Sequence, residues 1–406
     1  MRFLILTQYF PPEVGAAQVR LASLVRELVR CGHEVEVVTA LPNYPSGRIL
    51  PEWRGRFQRC DRWDGIPVRR VWLHPATGSG LWRLISYLSF TLTAWCPLLR
   101  ARRPDVLFVE SPPLFLGLTA IAYRRWRGRR TRVLFNVADL WPDSVVRLGL
   151  MTNRRFLHLA YRLERWCYAR SDGVVAVTEG LRATLTGAKR VAPERVSYLP
   201  NGVDTRLFAP GPEPADLREE LGLDERPVVL YAGTHGFAHG IETALAAARL
   251  LSGRQVQFLF VGDGSEKARL TERARGMGNV VFREPMPPER IALLYRMSVA
   301  GLSTLRDNPL FAATRPAKIF AAMACARPVI YSGAGEGARL VGEVEAGPVI
   351  PPEDPAALAD AVCTVLDEPA RARAWGENGR RHVVSHYAWS MLVRRWLQQQ
   401  RIPEHR

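Results

Sequence analysis

The stretch "RFLILTQYFPPEVGAAQVRLASLVRELVRCGHEVEVVTA", Arg2 to Ala40, carries the pattern that governs the whole chain. "RFLILTQ" is a short apolar run with the composition of a buried strand. "AAQVRLASLVRELVRCG" brings its apolar residues back every three to four positions, as one face of a helix requires, and closes on Gly32. "HEVEVVTA" is β-branched and reads as the next strand. Strand, helix and strand in this order form a βαβ unit, with Gly15 at the first turn, and parallel pairing is the expectation.

The alternation continues through "DVLFVE", "TRVLFNVA" and "GVVAVT". Around "YLPNGVDTRLFAPGPEPADLREELGL" the texture shifts to Pro, Gly and Asp, which marks a linker within Pro200–Pro227. It restarts with "PVVLYAGT", a helix through "ETALAAARLLS", then "VQFLFVGDG", "VVFREP", "AGLSTL" and "RPVIYSG". The fold class expected is α/β, with two Rossmann-like, doubly wound domains facing a cleft. The expected boundaries are 1–203, 204–385, and a C-terminal helix over 386–406 that crosses back to the first domain. Ligands of such sheets sit beyond the carboxyl ends of the strands.

A length of 406 residues also favours two domains over one core. The apolar share of 47% and charged share of 23% are those of a globular protein. Cys31, Cys60, Cys96, Cys167, Cys325 and Cys363 show no CxxC spacing, which suits reduced thiols better than a disulfide framework or a zinc site. "MRFLILTQYF" holds an apolar run too short for a signal peptide.

The formal charge is +17, and among the 56 basic residues only Lys189, Lys267 and Lys318 are lysine. Such a balance fits an anionic membrane surface, nucleic acid, or a plain compositional bias with solvated side chains. No RNA or DNA motif accompanies the charge, so no nucleic-acid partner is expected. Two clusters point to the membrane. "GLWRLISYLSFTLTAWCPLLRARRP", Gly80 to Pro104, is aromatic and apolar and ends on Arg100, Arg102 and Arg103. Its apolar part, Leu84 to Leu99, falls short of the roughly 20 residues that span a bilayer, and lying on the surface fits better. "RRWRGRRTR", Arg124 to Arg132, adds charge in the same half. The other reading of both is a core helix and an ordinary basic loop.

Three strand ends in the second half run into glycine: "YAGTHG" (Gly233, Gly236), "FVGDG" (Gly262, Gly264) and "IYSGAGEG" (Gly333, Gly335, Gly337). Glycine lets backbone N–H groups approach phosphate oxygens, although parallel sheets also use it there for packing. No D-x-D triplet occurs, so a metal-bridged diphosphate is not signalled and no cofactor is expected. Cations must then neutralise a diphosphate, and Arg306, Arg315 and Lys318 stand near this edge. In "RPAKIF" Arg315 and Lys318 flank a proline-started helix; they are either phosphate ligands or surface cations of its first turn. In the first half, Asp139, Trp141 and Asp143 of "NVADLWPDS" follow a strand. Asp139 either orients an acceptor hydroxyl or caps a helix.

These stretches resemble the GT-B glycosyltransferases of family 4, in particular the WbuB-like branch of bacterial surface-polysaccharide assembly. "ILTQYFPPEVGAAQVR", "PNYPSG", "ADLWPDS", "LPNGVDTRLFAP", "VLYAGTHGFAHGIETAL" and "RPAKIFAAMACARPVI" carry the likeness, which runs from Met1 to about Pro352. The resemblance implies a nucleotide-sugar donor, usually a UDP-sugar, in the C-terminal domain and a sugar acceptor, often polyprenyl-linked, in the N-terminal one. It implies retention, no metal, and a peripheral place on the cytoplasmic face of the membrane.

The catalytic residues implied are Lys318, Arg315 and Asp139, with Gly15, Asp139 and Trp141 on the acceptor side. The donor set implied is Gly233, Thr234, His239, Gly262, Gly264, Met286, Ala321, Gly335 and Glu336. Thr234 and His239 stand where many members carry arginine and lysine, which shifts the burden to Lys318. Ala321 and Ala313 replace the two glutamates of the family motif, and Ala138 replaces a histidine. Glu336 either contacts the donor sugar, partly replacing the missing carboxylate, or is an ordinary first-turn acid. Two other readings are open: a soluble secondary-metabolite acceptor, and a non-catalytic partner protein.

Overall fold

The computed structural model describes residues 1–403 apart from Val14, Pro45, 77–79, 128–129, 148–152, Ala215 and Ala313. Ala313 and part of the 124–132 cluster therefore lie outside the described residues. The chain divides into two compact units, Met1–Asn201 with Leu392–Arg406, and Gly202–Met391.

Among the described residues the first unit has eight strands: β1 (Arg2–Leu6), β2 (Glu34–Ala40), β3 (Gln58–Trp63), β4 (Ile66–Val71), β5 (Val106–Ser111), β6 (Arg132–Val137), β7 (Gly173–Ala176) and β8 (Val196–Tyr198). Their order is β3-β4-β2-β1-β5-β6-β7-β8. All neighbours are parallel except β3 and β4, a hairpin turned at Asp64 and Gly65, both with positive φ. Between strands run α1 (Ala16–Arg30), α2 (Leu81–Thr93), α3 (Trp95–Arg100), α4 (Leu116–Arg127), α5 (Asp143–Arg147), α6 (Arg154–Arg170) and α7 (Glu179–Thr186). Strands β1, β5 and β6 are buried nearly throughout, as their continuous apolar runs demand of a sheet covered on both faces. The expected apolar segment 84–99 is two helices, with Phe90 and Leu98 in the core and Leu88 and Leu92 exposed.

The second unit has a wholly parallel sheet of β9 (Val228–Ala232), β10 (Gln257–Val261), β11 (Val280–Arg283), β12 (Ser298–Thr304), β13 (Val329–Ser332) and β14 (Val349–Ile350), in the order β11-β10-β9-β12-β13-β14. Its helices are α8 (Leu217–Glu220), α9 (Ile241–Leu250), α10 (Lys267–Arg273), α11 (Pro288–Met297), α12 (Ala317–Ala324), α13 (Gly335–Glu343), α14 (Pro355–Asp367) and α15 (Pro369–His386). β9 lies at the centre, and the order reverses there between β10 and β12, the switch point at which α/β sheets present their binding crevice. The last helix, α16 (Trp389–Gln399), belongs to the first unit from Leu392 onward. There the buried Trp396 meets Phe108 edge-on at 5.8 Å and donates from Nε1 to Ser197 Oγ at 3.2 Å.

Candidate functional site

Strand β9 delivers Tyr231 and Gly233 to the switch point, and α12 brings Lys318 against them. Lys318 sits in the first turn of α12, is 9% exposed, and lies beneath Gly233. A Cβ at Gly233 would meet Lys318 Cε at 3.0 Å, and the Gly233 φ of 149° favours glycine at this exposed loop. Lys318 Nζ donates to Tyr231 Oη at 2.8 Å and stands 3.9 Å from the centre of that ring. Tyr231 in turn donates to the carbonyl of Thr234 at 2.8 Å, which ties the lysine to the loop. Burial lowers the Lys318 ammonium to about 7, and among the described residues no carboxylate is bonded to it.

The other two cations are already neutralised. Arg315 Nε pairs with Glu336 at 2.9 Å and its Nη1 donates to Tyr387 Oη at 2.8 Å. Arg306 bridges Glu242 at 2.8 Å and Glu353 at 3.0 Å. The shared first turn that the sequence suggests for Arg315 and Lys318 therefore separates in space. Arg315 goes to α13 and Tyr387, and Lys318 goes under β9. Glu336 has Arg315 as its partner.

The glycines act mainly through close approach. The amide of Gly233 donates to Val261 at 2.9 Å, that of Gly262 to Arg283 at 3.2 Å, and that of Gly264 to the Asp263 carboxylate at 2.8 Å. Each is committed within the protein, two of them because the parallel ladder continues past the strand ends. A Cβ on Gly262 would lie 1.9 Å from the Gly233 carbonyl, and one on Gly335 would lie 2.1 Å from that of Ala312. Thr234 is exposed, and Met286 and Ala321 are half-buried against the core.

Two residues that sequence reasoning passed over complete the site. Tyr231 reads as one more core aromatic on a strand. His235 is fully buried, with neither ring nitrogen hydrogen-bonded, between Tyr231 at 5.8 Å and Phe282 at 5.7 Å. Burial, with the Lys267 and Lys318 charges adding to it, lowers its imidazole to about 4. Burial and Lys318 lower that of His239 to about 3, and its Nδ1 also has no partner. Lys318 and the neutral imidazoles of His235 and His239 thus cluster at the β9 loop, and among the described residues no carboxylate is bonded to any of them.

In the first unit Glu13 Oε1 accepts from the amides of Asn43 at 2.6 Å and Tyr44 at 2.7 Å, which fastens "PNYPSG" to "YFPPE". Burial pushes its carboxyl up to about 7. Tyr44 packs edge-on to Tyr9 at 5.8 Å and borders Gly15, the N-cap of α1. Arg83 Nε donates to Tyr87 Oη at 2.7 Å, and burial raises the Tyr87 phenol, with the exposed Asp139 adding to it. Trp141, by contrast, is buried against Phe115 at 5.5 Å and Phe156 at 6.4 Å, and serves packing.

Residues 15–202 match the Glycosyl transferase 4-like domain family and residues 226–368 the Glycosyl transferases group 1 family. The chain is 30% identical over 295 residues to the putative colanic acid biosynthesis glycosyl transferase WcaI of Escherichia coli, covering 70% of this chain and 71% of WcaI. It is 27% identical over 405 residues to a GDP-mannose-dependent mannosyltransferase of Mycolicibacterium smegmatis, covering 95% and 94% of the two chains. In fold it resembles HepE from Anabaena in complex with UDP-glucose, with a TM-score of 0.70, 17% identity and 99% of both chains covered. With one wholly parallel and one predominantly parallel α/β sheet of this order and these matches, the chain belongs to the family 4 glycosyltransferases of GT-B fold.

Proposed function

We propose that the protein transfers a hexosyl or N-acetylhexosaminyl group from a UDP-sugar to an acceptor hydroxyl, with retention and without a metal. The acceptor is a lipid-linked glycan precursor at the cytoplasmic face of the membrane. The observation that carries this reading is Lys318, a buried amine beneath the exposed Gly233 with no carboxylate partner among the described residues. The anomeric C–O bond to the diphosphate breaks while the acceptor oxygen bonds to the same carbon, and the hydroxyl proton leaves with the diphosphate. Charge therefore grows on the diphosphate in the transition state. A cation held in a dry site stabilises that charge more than it would in water. The UDP complex of the fold relative HepE supports a UDP donor, and the WcaI similarity supports a glycan product.

The test is thermal shift and calorimetry with UDP, GDP, dTDP and their sugars, with and without EDTA, on wild type and Lys318→Ala. One nucleotide should stabilise the protein independently of EDTA, and Lys318→Ala should weaken it about 10- to 150-fold, the loss of a charge-assisted bond. Absence of binding at millimolar concentration by every nucleotide would instead favour the non-catalytic partner protein.

A further inference from the structure

Strand β3 ends the first sheet: it pairs with β4 on one side, and among the described residues no strand pairs with the other. The Trp72 amide donates to the Phe57 carbonyl at 2.8 Å, which sets the phase of this ladder. Backbone groups alternate sides along a strand, so Phe57, Arg59, Asp61 and Trp63 turn theirs toward β4. Gln58, Cys60 and Arg62 turn their N–H and C=O groups outward. Such an edge is a template for another strand unless its side chains keep one off.

The side chains hold β3 stiffly. Asp61 Oδ2 accepts from Arg70 Nε at 3.1 Å, and Trp63 meets Phe10 edge-on at 5.1 Å. The Arg59 guanidinium lies 4.2 Å from the centre of the Trp53 ring, and among the described residues it has no carboxylate partner. Asp61 Oδ1 also has no hydrogen-bond partner. Cys60 and Arg62 are exposed, as is Phe57, which leads into the strand.

Two copies meeting edge to edge about a two-fold axis pair antiparallel, with outward residues opposite outward residues. An axis at Arg59, at Asp61 or at Arg62 sets that residue against its own like charge. An axis at Gln58 leaves half of the strand unpaired. An axis at Cys60 sets Arg59 opposite Asp61, Gln58 opposite Arg62 and Phe57 opposite Trp63, each twice by symmetry.

We propose that β3 is a self-association edge, through which two copies of this chain pair antiparallel with Cys60 on the two-fold axis. Their first sheets become one. The inference does not rest on the transferase reading. Each outward N–H meets a carbonyl of the other copy, about six bonds in all. The opposite-charge and aromatic pairs across the strands add to them. An interface one strand wide is small, so association is weak, on the order of 10 µM. The charge of +17 on each copy opposes it at low salt and is screened at physiological salt.

The test is sedimentation equilibrium of the full chain from about 1 to 100 µM at about 0.15 M salt, with a short bis-maleimide cross-linker applied in parallel. A monomer–dimer equilibrium is expected, with cross-linked dimer in the wild type. Cys60 residues paired in this way have Cα atoms about 5.5 Å apart, within reach of the linker. Cys60→Ser should keep the dimer and lose the cross-link, whereas Cys96→Ser should keep both. Arg59→Glu turns two opposite-charge pairs into like-charge pairs and should weaken association about tenfold or more. Cys60→Pro removes an outward amide without touching the β4 ladder and should leave a monomer. Circular dichroism checks the fold of both; should Cys60→Pro not fold, Arg59→Glu decides. A wild type that stays monomeric at about 100 µM would overturn the proposal. So would a dimer that Arg59→Glu leaves at full strength, or one that cross-links equally well in Cys60→Ser.

Discussion

Lys318 shows how a single burial sets the pH dependence of stability and, under the proposed function, that of nucleotide binding. With its ammonium lowered to about 7 against an ordinary 10.5, it is neutral at pH 9 in the folded chain and protonated in the unfolded one. Unfolding then takes up a proton, so stability rises with pH between those values, by up to about 1.4 kcal/mol per unit. Thermal unfolding of wild type against Lys318→Met from pH 6 to 10 should show the wild type gaining, and flat relative stability would refute the buried ammonium. UDP affinity should move the other way, falling above about pH 7 in wild type and not in Lys318→Met. Gly262 tests the packing of the loops above it. Its φ of 149° and a Cβ contact at 1.9 Å predict that Gly262→Ala lowers the denaturant midpoint, by roughly 1–3 kcal/mol in stability. The glycines and Lys318 were readable as residues. That Lys318 would find Tyr231, and Arg315 would find Glu336, was not, because each partner comes from a strand or helix remote in sequence.

At the scale of elements, Glu13 joins two loops that the sequence presents separately. Its carboxyl, pushed up to about 7 from 4.5, is protonated in the folded chain where the unfolded chain is already ionised. The folded state holds the extra proton, so this group's contribution falls as pH rises from about 4.5 to 7. Glu13→Gln keeps an acceptor oxygen and should abolish that slope. Glu13→Ala leaves the amides of Asn43 and Tyr44 without an acceptor and should cost about 1–3 kcal/mol, with faster hydrogen exchange at those two amides. Unchanged exchange there would show that the tie does not hold the loop. The hairpin of β3 and β4 escaped the reading of periodicity because "QRCDRW" is polar, an edge strand with one face to water. Its signal was the turn instead: Asp64-Gly65 is a pair favoured where both residues need positive φ.

At the scale of the molecule, the terminal segment from Leu392 completes the first unit. Trp396 is fully buried there, and Trp396→Ala should cost about 3–5 kcal/mol in that unit. Calorimetry should show the first unit's transition lowered and the UDP-stabilised transition unmoved. A single transition shifting as a whole would mean that the units unfold together.

By itself the sequence determined the α/β class with two Rossmann-like domains, the family and the excess of arginine. Alternating apolar periods, glycine turns and net charge are local or summed properties, and they survive without coordinates. The tertiary structure decided which basic side chain lacks a carboxylate, which glycine amides are committed, and which strand ends the first sheet. Those depend on pairs distant in the chain, such as Lys318 with Tyr231 and Gly233 with Val261, and only packing brings them within reach.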